Sequence, residues 1–152
     1  MGLVPLSVEI LALRADDLGW RYRRLETTLR DGETPDQAAR RHAEVAAGDA
    51  VTVVHSTSWR YEAHGRLVLT YAVCPDPDPA SPADLLTDYR LARGEAPATP
   101  TPQDLQVENV AAHALRHLAH LLHSDPVVGE AFAATPSVVR GLRLLPTELV
   151  AT

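Results

Sequence analysis

The sequence contains no lysine; all 14 of its basic residues are arginine. Against them stand 20 acidic residues, for a formal charge of -6. Counterion release needs a basic face, so a balance this acidic argues against general nucleic-acid affinity. Arginine without lysine, beside abundant alanine and proline, reads as high-GC bacterial coding. Cysteine is nearly absent: Cys74 alone cannot form an internal disulfide, and this fits a reducing compartment. It ends an apolar run before Pro75 and reads as a small buried hydrophobe rather than a nucleophile. Aromatics make up only 5% of the residues, so the core must be built from Leu, Val and Ala. No apolar run approaches the roughly 18 residues of a membrane span. Met1 to Leu13 lacks a basic n-region and carries Glu9, so it does not read as a signal peptide. A single cytoplasmic domain of 152 residues is expected.

What is present reads in order as follows. Val4 to Arg14 is apolar-rich and ends in the turn Asp16-Asp17-Leu18-Gly19; Trp20 to Leu25 follows as a second strand, giving a hairpin. Thr34-Pro35-Asp36-Gln37 combines a cap, a first-turn proline and a capping-box glutamine. The alanine-rich helix it opens is expected to run about three and a half turns to a stop at Gly48. Ala50 to Trp59 and Arg66 to Cys74 are β-branched and apolar runs that predict a second hairpin, its latter arm a central strand. Pro75, Pro77 and Pro79 exclude a regular element. Ala83 to Leu91 reads as a short helix, residues 93–101 as a loop, and Pro102 to about His123 as a long helix. Segments from Asp125 to Ala134 and from Thr135 to Leu145 complete a helical C-terminal third. The pattern implies an α/β class protein, an α/β/α sandwich with a mixed sheet.

The stretch from Leu29 to Gly48 resembles the signature box of the Nudix hydrolases, G-x5-E-x7-R-E-U-x-E-E-x-G-U with U aliphatic. With Glu33 as its first glutamate, Arg41 matches the arginine, Ala43 an aliphatic position and Gly48 the closing glycine. The carboxylates that follow the arginine are missing: His42, Val45 and Ala46 replace them, while Thr27 and Asp49 break the two ends. The resemblance implies a Nudix-like fold with a degenerate box. In that family the helix glutamates gather divalent cations around a pyrophosphate, and valine and alanine cannot ligate a metal. No cofactor is therefore expected, and a divalent metal is disfavoured without being excluded.

Two other groups carry candidate chemistry. His55-Ser56-Thr57-Ser58-Trp59-Arg60-Tyr61-Glu62 is the densest run of polar side chains. Plain alternation puts His55, Thr57 and Trp59 on one face and Ser56, Ser58 and Arg60 on the other. His113, His117, His120 and His123 fall within an arc of about 120° on the long helix. Without an H-E-x-x-H pattern they read first as a half-buried face, with a zinc or other transition-metal site as the alternative. No Gly-x-Ser-x-Gly elbow supports a serine triad.

The combined expectation is a pocket for a small polar or anionic metabolite. Arg14, Trp20, Tyr22, Ser58, Trp59, Arg60 and Glu62 would line it, with His113 or His117 approaching from the helix. His55 and His42 are the acid–base candidates if the protein is a repurposed enzyme. A ligand sensor or interaction scaffold is the non-enzymatic alternative, and a metal-dependent hydrolase of a nucleoside diphosphate derivative a further one. The expected partner is a small molecule, not nucleic acid or a membrane, with a homodimer left open.

Overall fold

Seven consecutive buried residues, Ser7 to Leu13, make β1 (Leu6–Asp16) the strand on which the others assemble. A strand buried along both faces must be covered on both, and the chain supplies helices to each. β2 (Gly19–Thr28) returns antiparallel to β1, with Asp16 opposite Gly19. At that turn the Asp16 carboxylate accepts the Leu18 N–H at 2.8 Å, and Gly19 takes φ +131°, a region that favours glycine. β3 (Val53–Tyr61) and β4 (Leu67–Cys74) form the second hairpin, and β4 lies parallel to β1 on its other side. The computed structural model describes residues 6–62, 65–89 and 106–145. Its sheet is mixed, in the order β3-β4-β1-β2-β5, where β5 (Asp84–Leu85) is a short edge pairing with β2.

Helix α1 (Pro35–His42) covers one face, and α2 (Val107–Ser124), α3 (Pro126–Ala133) and α4 (Pro136–Arg143) cover the other. Under α1 lie Val8, Ile10, Val54, Tyr71 and Val73, with Ala38 and Ala39 as the helix's contribution. Alanine there lets the helix backbone sit close to the strands. The second core joins Leu11, Leu13, Ala72 and Cys74 to Leu115, Leu118 and Phe132. Each of these three helical side chains is fully buried and contributes about 1.5–3 kcal/mol by leaving water. The α/β/α sandwich with a helical C-terminal third is as the sequence pattern implies. Cys74 is buried as expected, and burial pushes its thiol up, away from thiolate chemistry.

Four boundaries depart from expectation. The first helix starts on its capping box, with the Thr34 hydroxyl accepting from Gln37 N–H at 3.1 Å and the Gln37 side chain accepting from Thr34 N–H at 2.9 Å. It stops at His42, however, and not at Gly48. Val45 turns in to join the core, its N–H donating to the Arg40 carbonyl at 2.9 Å, and Glu44 adopts φ +60° to permit this. Residues 84–85 extend the sheet instead of forming a helix, because the Leu86 N–H donates to the Trp20 carbonyl at 2.8 Å and Leu86 is buried. The long helix begins at Val107 after an extended Gln106; the proposed start at Pro102 lies outside the described residues. β2 runs three residues beyond the expected Leu25, held along its length by β1.

Candidate functional site

A one-residue bulge in β3 decides which side chains meet. Pairing with β4 shifts between Ser56 and Ser58, leaving Thr57 unmatched. His55 pairs with Ala72, Ser58 with Thr70 and Arg60 with Val68, so these three β3 residues share the face under α2. Trp59 pairs with Leu69 on the opposite face, where it is 64% exposed and stacks edge-on against Tyr61 at 5.7 Å. The expected grouping of Trp59 with His55 is thereby reversed. Without the extra residue, alternation would have held.

Arg60 is not free to clamp a ligand. Its guanidinium grips the carboxylate of Glu9 bidentately, at 3.0 and 3.1 Å. Glu9 is fully buried and also accepts from Thr70 Oγ1 at 2.7 Å and Arg24 Nε at 2.6 Å. Burial by itself would raise this carboxyl, but the hydrogen bonds from Arg60, Thr70 and Arg24 prevail and hold it at about 2. Glu62 is taken by Arg66, with Arg60 nearby at 3.7 Å. Arg14 and Arg23 converge on the buried Asp76 at 3.2 and 2.8 Å, and Arg14 also donates to the Ser81 carbonyl at 2.9 Å. These arginines fasten the proline-rich loop to the sheet.

Three histidines do come together. The rings of His55 and His117 lie 5.0 Å apart, and His113 Nε2 is 3.1 Å from the Thr57 carbonyl at the bulge. A carbonyl only accepts, so His113 carries its proton on Nε2, and His55 carries one on Nδ1, 2.9 Å from the Ser56 carbonyl. Burial, and then neighbouring His55, His113 and His120, hold His117 below its ordinary value and so favour its neutral form; its Nε2 is buried without a partner. His42 is exposed at the end of α1, across the sheet from this group, and shares no site with His55.

The described residues also enclose a cavity of about 340 Å³ where the β1–β2 turn meets α4. Ser137, Arg140 and Gly141 on α4, with Leu144 just past its end, present one stripe to it, and Asp16, Asp17, Leu18, Trp20 and Tyr89 line the rest. Trp20 is buried and its indole Nε1–H has no acceptor. The same ring edge lies against Gly141, where a Cβ would sit 3.0 Å from Cε2 and 2.9 Å from Cζ2. Only glycine lets α4 approach so closely. Tyr22, its neighbour two residues along the strand, packs on the core beneath α2 and does not line the cavity. Sequence reasoning missed the α4 residues, though a glycine inside an amphipathic helical pattern is a recognisable sign of close packing.

The two charged residues that match the Nudix box, Glu33 and Arg41, are each other's partner. Glu33 receives two hydrogen bonds from Arg41, at 2.8 and 2.9 Å, and Arg41 also reaches the Thr28 carbonyl at 3.1 Å. The Arg41 bonds, helped by the Arg30 backbone N–H, hold the Glu33 carboxyl at about 2. The pair thus ties the loop and α1 to the end of β2. Comparison with family models, curated proteins and solved structures finds no match.

Proposed function

We propose that this protein binds a small metabolite with an anionic group and an apolar body, in the cavity between the β1–β2 turn and α4. The observation that carries this reading is the lining of the cavity, in which the Arg140 cation stands among Leu18, Trp20 and Leu144. Arg140 on α4 supplies a cation for a carboxylate or phosphate. Of the two carboxylates in the same wall, Asp16 is already paired with Arg21 and Asp17 is not. Leu18, Leu144 and the indole face suit an aliphatic or aromatic body. In this reading the chain retains a Nudix-like loop and helix as a structural unit, with Glu33 bound to Arg41 and Val45 in the core. A repurposed enzyme would instead act at His55, and His55→Ala would then abolish turnover.

The two tryptophans make a direct test. In a Trp59→Phe background, Trp20 is the sole indole and reports on the cavity. Titration with a panel of aliphatic and aromatic carboxylates and phosphate esters should give a saturable change in its fluorescence for at least one compound. Arg140→Ala should weaken that binding by tenfold or more. A flat response across the panel sinks the reading, and binding indifferent to Arg140→Ala removes it from this cavity.

A further inference from the structure

The strand–helix junction carries a second, independent constellation. His55 on β3 and His117 on α2 pack together with ring centres 5.0 Å apart and planes inclined by 46°. Two imidazoles sharing one ion at a tetrahedral angle, with metal–nitrogen bonds of about 2.0–2.1 Å, have centres about 5 Å apart. The His55 Nδ1–H is held by the Ser56 carbonyl at 2.9 Å, which leaves Nε2 as the nitrogen with the lone pair. A backbone carbonyl on the far nitrogen is the arrangement that orients metal-bound histidines and raises their basicity. On the helix side, the buried His117 Nε2 has no hydrogen-bond partner, an omission that a cation would repair.

We propose that His55 and His117 together bind one borderline transition-metal ion, zinc or nickel, bridging the edge strand to the long helix. Imidazole nitrogen suits these ions, whereas the harder magnesium and calcium prefer oxygen. His113 is a neighbour and not a ligand in this arrangement, since its Nε2–H is held at 3.1 Å by Thr57. No group of three or more candidate ligands converges among the described residues. The ion therefore takes two protein nitrogens and draws its remaining ligands, water or a small exogenous anion, from the side of the partly exposed His55. The site is separate from the Trp20 cavity and stands or falls apart from it.

The test uses the full chain with no affinity tag, titrated calorimetrically with zinc chloride and with nickel chloride at pH 7.5. Uptake should saturate at one ion per chain, and His55→Gln and His117→Gln should each weaken it at least tenfold. His123→Gln, at the exposed end of α2, should leave it unchanged. X-ray absorption on the zinc-loaded wild type should count two imidazole nitrogens, a readout that survives even if His117→Gln fails to fold. Absence of saturable uptake overturns the proposal. So does uptake that persists in both glutamine variants, or uptake lost only in His113→Gln or His120→Gln, which would place the ion on the helix alone.

Discussion

At the residue scale, the most consequential side chain is Glu9, a carboxylate with no exposed surface in the middle of the sheet's central strand. It is tolerated because Arg60, Arg24 and Thr70 satisfy it from three directions. Glu9→Gln keeps the shape and removes the charge, stranding the largely buried Arg60 without its counterion. Removing one partner of a buried pair costs about 3 kcal/mol or more, and urea unfolding should show a loss near the lower end because Arg24 still reaches water. An unchanged midpoint would mean that the pair is not formed. The same network explains why Arg60, attractive in the sequence as an anion clamp, is occupied: its partner lies 51 residues away on another strand.

At the scale of elements, two local irregularities shape the surface. The Thr57 bulge sets His55, Ser58 and Arg60 on one face and turns Trp59 and Tyr61 outward. Alternation along a strand is readable from sequence, but an inserted residue is set by what the partner strand offers, so the faces of β3 were not. The capping box of α1 was legible for the opposite reason, being a contact among residues three apart. Its end was not, because Val45 leaves the helix for a core assembled from three strands. That exit places the exposed Glu44 at φ +60°, where a side chain is strained and glycine is not. Glu44→Gly should therefore raise stability by about 0.5–1 kcal/mol, seen as a higher melting temperature. A fall would show that the strain is compensated elsewhere.

At the scale of the molecule, the charge pattern predicts acid sensitivity. The Glu9 and Glu33 carboxyls both stand at about 2, below their ordinary value of 4.5. A group depressed in the folded state binds its proton more readily when unfolded, so its stabilisation is complete above pH 4.5 and disappears as pH falls toward 2. Melting followed by circular dichroism should show its steepest decline across that window, and the decline should be shallower in Glu9→Gln. A melting temperature level down to pH 2.5 would contradict the pairing.

The layered architecture could be read in advance because apolar periodicity and caps are local, and an almost wholly buried β1 demands cover on both faces. Both proposed sites needed the fold. His55 and His117 are 62 residues apart and meet only because α2 lies along the edge strand. The Trp20 cavity exists because Gly141 lets α4 close on the indole. The sequence by itself determined the elements and their apolar faces, through interactions a few residues long. Tertiary structure alone decided which polar groups are paired and which remain available, since that depends on partners brought together from distant parts of the chain.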